Sequence, residues 1–205
     1  YFKEVYILTY MFDSQIQKYY FDYYNIEYNY RSIDRDQNNN YMLVDRGSST
    51  YEFKKKEQVK DLIILTKDKL NRVGEKDFSL SSSWFEKNKG TIIMQEIKNN
   101  LSNFFKHKCK TKASENGWTT IKDFRVALEN KGYKTGFIPI NERATNKYQH
   151  KKSMAYVSNR FLQPYIKEMF NQKGIKIDED LWALSEMLQW IWRGSIRKNE
   201  PMKLY

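Results

Sequence analysis

The last part of the chain carries its clearest alternation of apolar and polar positions. Apolar side chains recur at spacings of three and four, the period of an amphipathic helix, at Leu181, Leu184, Met187, Leu188 and Ile191. A polar stripe repeats every four residues and consists of Ser185, Gln189, Arg193 and Arg197. Asp178 suits the N-cap of this helix, and Met202–Tyr205 has the composition of a short strand. Residues 178–205 are therefore predicted to form a helix followed by a truncated strand.

Weaker patterns predict the other elements. Strands are expected near Val5–Phe12, Asp61–Leu65 and Phe137–Ile140, although the pattern from Val59 to Leu70 fits a helix as well as a strand. Helices are expected at Gln15–Tyr24, Thr91–Lys106, Ile121–Asn130 (beginning at Thr119 or Thr120) and Lys147–Phe170, with an interruption at Pro164. Asn116–Thr120 is expected to be a break, and residues 25–58 a loop or insertion. These elements predict one helix-rich α/β domain over residues 1–205, built around a central sheet.

Composition points to a folded protein of the cytoplasm. The chain has 205 residues, of which 40% are hydrophobic and 16% aromatic, so it can bury a substantial core. It contains no run of about 18 apolar residues, the length that a transmembrane helix needs. Its single cysteine, Cys109, cannot form an internal disulfide, and neither it nor His107 belongs to a metal-binding pattern. We therefore expect no membrane partner and no metal site.

Positive charge is concentrated in one part of the chain. The formal net charge is +11, and residues 101–176 alone hold 16 basic and 5 acidic side chains. A local excess of this kind favours contact with the phosphates of nucleic acid, because binding releases condensed counterions. The alternative is a solvated, lysine-rich surface without a ligand.

The polar stripe of the last helix resembles a known motif. Gln189, Arg193 and Arg197, followed by a short loop and a strand, are similar to the last motif of superfamily 2 helicases. In those enzymes a Gln and two arginines face the nucleotide that the other half of the enzyme holds. The resemblance implies that Arg193 and Arg197 stabilise charge on the terminal phosphate as arginine fingers and that Gln189 orients them. Two details differ: Trp192 stands where helicases commonly have Gly, and the two arginines are four residues apart instead of three.

A second polar cluster strengthens this resemblance. Residues 142–148 follow the predicted strand Phe137–Ile140, as a Thr- and Asn-containing loop precedes the final motif in superfamily 2 helicases. The resemblance implies that Arg143, Thr145 and Asn146 contact nucleic acid and respond to the nucleotide. The positive charge of Lys147, Lys151 and Lys152 predicts that they are further contacts with its phosphates. Residues 141–146 and 183–197 also resemble helicase-like replication proteins from plasmids and phages of Gram-positive bacteria. A solvated turn between two elements is the alternative interpretation of residues 143–146.

The resemblance implies a RecA-like three-layer α/β domain with a mostly parallel sheet and insertions. The chain has no Gly-x-x-x-x-Gly-Lys-Ser/Thr loop, so ATP and Mg²⁺ are expected only through an upstream domain of the same full-length protein. Asp34, Asp36 and Asp45 are candidate ligands of a nuclease metal, but their Asn-rich surroundings favour a surface loop.

Three functions are therefore considered. The first is the second RecA-like domain of an ATP-dependent helicase or translocase that acts on DNA or RNA, with single strands favoured. The second is a non-catalytic basic module that binds nucleic acid or assists replication. The third is a phage-defence or structural protein whose aromatic N-terminal half forms an oligomer interface.

Overall fold

The computed structural model describes residues 3–66, 69–142 and 145–205. In these ranges the α-helices are α1 (Ile16–Tyr23), α2 (Thr50–Leu62), α3 (Ser82–Asn88), α4 (Ile92–Asn103), α5 (Arg125–Leu128), α6 (Pro164–Asn171) and α7 (Glu179–Ile191). The strands are β1 (Arg31–Arg35), β2 (Tyr41–Asp45), β3 (Ile63–Leu65), β4 (Asn116–Thr120), β5 (Ser153–Val157) and β6 (Met202–Leu204).

A four-stranded parallel sheet lies at the centre of the larger part of the chain. Its strand order is β3-β6-β5-β4, and Phe137 adds a parallel bridge to Trp118 on the free side of β4. All five residues of β4 are buried, as expected for parallel strands that helices cover on both faces. The predicted α/β class with a mostly parallel sheet is confirmed. The strand predicted at Phe137–Ile140 is reduced to the single bridge.

The main hydrophobic core packs against β4 and β5. Trp118 and Ala155 from the sheet are fully buried together with Ile97 and Leu101 of α4 and Phe85 of α3. Helix α4 confirms the helix predicted at Thr91–Lys106, although it ends at Asn103. Its apolar residues are buried because the three-and-four spacing places them on one face.

The chain divides into two compact units, where the sequence predicted a single domain. One unit comprises Asn29–Asn159 with Gln189–Tyr205 and contains the parallel sheet; the other comprises Tyr1–Tyr28 with Arg160–Leu188. In the second unit, Tyr19 and Phe170 are buried side by side, and the hydroxyl oxygen of Tyr19 accepts the N–H of Asp178 at 3.0 Å. The carboxylate of Asp178 in turn caps α7 by accepting the N–H of Leu181 at 2.9 Å, as predicted.

The strand predicted at Val5–Phe12 is wrong. Residues 3–11 adopt neither helix nor strand, and Phe12–Ser14 form a 3-10 turn. Val5 and Leu8 are 72% and 82% exposed. An apolar run becomes a strand only when a neighbouring strand satisfies its backbone N–H and C=O groups, and the two sheets among the described residues are formed by other segments.

Residues 25–58, predicted to be a loop or an insertion, contain regular structure. Strands β1 and β2 pair as an antiparallel hairpin, from Arg31 opposite Asp45 to Arg35 opposite Tyr41. The carboxylate of Asp36 accepts the N–H groups of Asn38 and Asn40, each at 2.8 Å, and so closes the turn. Polar residues that indicated a loop are therefore the turn and the exposed faces of a hairpin.

The helix predicted over Lys147–Phe170 and the break predicted at Asn116–Thr120 are also wrong. Both segments contain strands of the parallel sheet, β5 and β4, paired in register from Asn116 with Ser153 to Thr120 with Val157. Only the end of the predicted helix is helical, as α6. Buried Asn, Thr and Ser residues interrupt the apolar runs that normally mark parallel strands, which hid both strands in the sequence. Because Thr120 ends β4, the helix predicted at Ile121–Asn130 is shortened to a 3-10 turn at Lys122–Phe124 and α5.

Candidate functional site

The two candidate arginines lie in a turn after α7, and not on the helix as predicted. Helix α7 ends at Ile191, Arg193 lies in the following turn, and Arg197 belongs to a 3-10 helix at Ser195–Lys198. We call residues 192–198 the arginine turn.

Gly194 is the point at which the arginine turn touches the sheet. A Cβ atom on Gly194 would lie 2.5 Å from the sulfur atoms of both Met154 in β5 and Met202 in β6. One residue later, the N–H of Ser195 donates to the carbonyl oxygen of Lys151 at 2.9 Å. A side chain at position 194 would push the turn away from the sheet, so glycine sets where the flanking arginines lie.

Arg193 is buried and joins α7 to the loop that follows residue 141. Its Nη1 donates to the carbonyl oxygen of Gln189 at 2.7 Å, and its Nη2 donates to the carbonyl oxygen of Glu142. Only 6% of Arg193 is exposed. A guanidinium carries five donors in a rigid plane, which suits it to hold two carbonyl groups from different segments at once.

Arg197 is exposed and reaches the same loop. Its Nη1 donates to the carbonyl oxygen of Thr145 at 3.2 Å. The two sequence clusters that resemble helicase motifs are therefore in contact through both arginines. Gln189 contributes its carbonyl oxygen to Arg193, while the role predicted for its side-chain amide stays a prediction.

The loop residues predicted to contact nucleic acid differ in their surroundings. Arg143 lies outside the described residues. Thr145 is half-buried, and its hydroxyl oxygen accepts the N–H of Lys147 at 3.3 Å, whereas Asn146 and Lys147 are exposed. The ammonium group of Lys147 lies 3.0 Å from the carboxylate of Glu142. Hydrogen bonds to Tyr148 and to Glu142 raise the pKa of Lys147, so it is a permanent positive charge at neutral pH.

The structure separates the two lysines that precede β5. Lys151 is buried, and its ammonium group donates to the carbonyl oxygen of Ser114 at 2.7 Å. Burial lowers the pKa of Lys151, because a charged group loses solvation in the interior. Lys152 is exposed and forms an ion pair with Glu115 at 3.3 Å. In this conformation only Lys152 presents its charge to a ligand.

Two contributors to the site were missed by sequence reasoning. The indole Nε1 of Trp190 donates to the carbonyl oxygen of Ile138 at 3.3 Å. The rings of Trp190 and Tyr156 pack in an edge-to-face arrangement with their centroids 5.5 Å apart. Trp190 thereby holds the end of α7 against the start of the loop. Glu142 supplies the carbonyl that Arg193 binds.

The glycine directly after Arg193 was the signal in the sequence that α7 ends before the two arginines.

The described residues place limits on other kinds of site. Residues 3–66, 69–142 and 145–205 contain no group of three or more His, Cys, Asp or Glu side chains arranged to hold a metal ion. Within the same part of the chain, no helix combines the length and the apolar character required to cross a membrane.

Comparison with known proteins identifies relatives. The family described as the YonV C-terminal Rossmann-like domain matches residues 57–205, which include the whole parallel sheet and the arginine turn. The chain is 43% identical over 204 residues to the SPbeta prophage-derived uncharacterized protein YonV of Bacillus subtilis (strain 168). That alignment covers 100% of this chain and 49% of YonV, so the chain spans about half the length of this relative. No solved structure matches the chain.

Proposed function

We propose that this chain, which belongs to the family of the YonV C-terminal Rossmann-like domain, is the second RecA-like half of an ATP-dependent helicase or translocase. The enzyme would act in the cytoplasm in the replication of a phage or other mobile element. One relative is prophage-derived, which supports the proposed origin in a phage or other mobile element. This relative is about twice as long as the chain, which supports a further region in proteins of this kind.

One observation carries the proposal: Arg193 binds the carbonyl group of Glu142 and Arg197 binds that of Thr145. The arginine turn and this loop are about fifty residues apart in sequence, and each independently resembles a helicase motif. A helicase needs these two motifs in contact, because one responds to the nucleotide and the other holds the nucleic acid. A solvated turn that only links two elements would not require two hydrogen bonds from the arginine turn.

The two arginines have different surroundings and would have different roles. Arg193 is buried between two carbonyl groups, so it would position the loop against α7. Arg197 is exposed and would be the arginine finger, because it can reach a phosphate by giving up a single hydrogen bond to Thr145. ATP bound on an upstream domain, with Mg²⁺, would supply the phosphate whose developing charge Arg197 stabilises.

The contact between Arg197 and Thr145 also suggests how hydrolysis is coupled to nucleic acid. When Arg197 turns towards a phosphate, the carbonyl of Thr145 would lose this donor, and the contact between Thr145 and the arginine turn would be released. Asn146 and Lys147 extend from this loop as exposed groups suited to a phosphate backbone. Their grip on the strand would then depend on the nucleotide state.

The test is ATP hydrolysis by the full-length protein that carries this chain, with and without single-stranded DNA. Arg197→Ala should reduce the DNA-stimulated turnover number by roughly 10³-fold or more, the usual effect of removing an arginine finger, and leave ATP binding intact. Lys198→Ala, one residue away and also exposed, is the matched control and should retain activity. Equal activities of the two variants, or no ATPase activity in the parent protein, would refute the proposal.

A non-catalytic nucleic-acid-binding module is the second candidate. The net charge of +11 within residues 101–176 favours it, because this charge alone accounts for attraction to a polyanion. This alternative predicts salt-dependent binding of DNA or RNA that does not change with Arg197→Ala, together with no ATP hydrolysis.

A further inference from the structure

Helix α4 ends in a widened turn that exposes three successive basic side chains. Residues Phe104–Cys109 form a π-helical turn, in which Phe104, Phe105 and Cys109 are buried while residues 106–108 are exposed. In an α-helix, Lys108 would lie one turn above Phe104 and face the core. The wider turn brings Cys109 to that position instead. Lys106, His107 and Lys108 therefore all point outward.

The chain is then held in an uncommon conformation that continues the exposed basic surface. Lys110 has φ 56° and ψ 32°, in the left-handed region that residues other than Gly, Asn and Asp rarely occupy. Directly after it, the hydroxyl of Thr111 is hydrogen-bonded to Oδ1 of Asn116 at 2.6 Å and to Oγ of Ser153 at 3.1 Å. The segment is thus anchored to β4 and β5. Such wide turns and unfavourable backbone angles are concentrated at functional sites.

One further lysine is brought beside this segment by the sheet. The ammonium group of Lys203 in β6 donates to the carbonyl oxygen of Lys108 at 3.0 Å. Lys203 pairs with Ser153, whose side chain contacts Thr111, so Lys203 lies on the face of the sheet that the π turn covers. We call these five residues the lysine ridge: Lys106, Lys108, Lys110, Lys112 and Lys203.

The lysine ridge joins Lys203, which is distant in sequence, to the basic residues of the π turn and the segment after it. The described contacts place one carboxylate beside it, that of Glu115, which accepts the N–H of Lys112 at 3.2 Å and pairs with Lys152. The backbone N–H of Lys112 and the side chain of Lys152 lower the pKa of Glu115, so this carboxylate is ionised at neutral pH. Its charge is shared with Lys152, outside the ridge. The remaining mutual repulsion is relieved when a polyanion binds and its counterions are released.

We propose that the lysine ridge binds the phosphate backbone of nucleic acid, as a site separate from the loop at residues 142–147. Lysine ammonium groups contact phosphates as point charges, so the ridge would hold the strand without reading its base sequence. The inference rests on the nucleic-acid part of the proposed function but does not depend on ATP hydrolysis. The ridge would keep the strand attached while the loop changes its grip.

The test measures binding of a fluorescently labelled single-stranded oligodeoxynucleotide to the 205-residue chain by anisotropy, at several salt concentrations. The ridge variant is K106E/K108E/K110E, whose three side chains are exposed on the π turn and just after it. The matched control is K54E/K55E/K56E, three exposed lysines on α2. Both variants change the net charge by the same amount, so a general attraction to the whole protein would affect them equally.

The ridge variant should bind at least roughly tenfold more weakly than the control variant at about 0.1 M salt, and its slope of log affinity against log salt should be smaller by about 2. A neutral variant, K106Q/K108Q/K110Q, should show the same loss in weaker form. Equal affinities of ridge and control variants, or no binding by the parent chain, would overturn the inference. Melting temperatures of all variants within a few degrees exclude unfolding as the cause.

These outcomes are separable from those for the proposed function. If the ridge and control variants bind equally while Arg197→Ala abolishes ATP hydrolysis, the ridge inference fails and the helicase proposal stands. If the ridge variant loses binding while Arg197→Ala retains ATPase activity, the helicase proposal fails and the ridge inference stands.

Discussion

The guanidinium of Arg197 donates to the carbonyl oxygen of Thr145 at 3.2 Å, although 52 residues separate the two in the sequence. Arg193 makes the equivalent contact with the carbonyl oxygen of Glu142 from inside the protein. Together the two contacts join the arginine turn to Glu142 and Thr145, which precede β5 in the chain. A substitution that displaces the arginine turn should therefore also displace Glu142 and Thr145.

Replacing Arg193 with methionine should destabilise the fold more than replacing Arg197. Arg193→Met keeps most of the side-chain volume but leaves the carbonyl groups of the half-buried residues Gln189 and Glu142 without this donor. Each such loss costs about 1–3 kcal/mol. Arg197→Met alters an exposed group and should change the free energy of unfolding by less than about 0.5 kcal/mol. Urea denaturation of both variants measures the difference, and equal values would contradict the positioning role of Arg193.

Gly194→Ala should displace the arginine turn from the sheet. The new Cβ would approach the sulfur atoms of Met154 and Met202 at 2.5 Å and the carbonyl oxygen of Lys151 at 3.2 Å. Overpacking of this kind costs about 1–3 kcal/mol. Gly132→Ala is the control, because nothing lies within 4 Å of its Cβ. Thermal melting should show a lower melting temperature for Gly194→Ala and a nearly unchanged one for the control.

Tyr133 should make the protein less stable at alkaline pH. Burial raises the pKa of Tyr133 above its ordinary value of 10.0, and its hydroxyl donates to the carbonyl oxygen of Leu128 at 2.5 Å. The folded state therefore holds the phenolic proton more tightly than the unfolded state. This contribution is complete below pH 10 and is lost as the pH rises beyond it.

The measurement is the free energy of unfolding between pH 9 and pH 11. Tyr133→Phe should be less stable than the parent at pH 9, because the hydrogen bond to Leu128 is missing. Its stability should then fall less steeply with pH. Parallel curves for the parent and the variant would show that another group causes the alkaline loss.

Lys151 and Lys152 should differ in their effect on nucleic-acid affinity despite being neighbours. Lys152→Met removes an exposed charge and should weaken binding of a labelled single strand, with the slope of log affinity against log salt smaller by about 1. Lys151→Met removes a buried ammonium group whose partner is an internal carbonyl, so affinity should stay within about twofold of the parent. A larger effect of Lys151→Met would mean that this lysine leaves the interior when nucleic acid binds.

Local patterns predicted some elements well and others poorly, for physical reasons. Helix α4 and the start of α7 follow from three-and-four spacing and from the N-cap at Asp178, which depend on residues a few positions apart. Strands β4 and β5 could not be found in this way. Their buried polar residues, such as Asn116 and Ser153, are accommodated by neighbours from distant segments, including the hydroxyl of Thr111 that contacts both.

The candidate site shows the same division. Sequence resemblance predicted functional roles for Gln189, Arg193, Arg197 and the segment that contains Thr145, and these roles stay predictions. It could not distinguish a buried arginine from an exposed one, or Lys151 from Lys152. Those differences arise because Gly194 lets the arginine turn approach the sheet and because Lys151 directs its side chain to Ser114.

By itself, the amino-acid sequence determined the α/β class, the polar stripe at the end of the chain and the concentration of lysines between residues 101 and 176. These are properties of short segments and of composition. The tertiary structure decided which lysines share one surface, which arginine is exposed, and that the arginine turn contacts the loop. Each of these depends on the order and register of four parallel strands, in which residues far apart in the chain become neighbours.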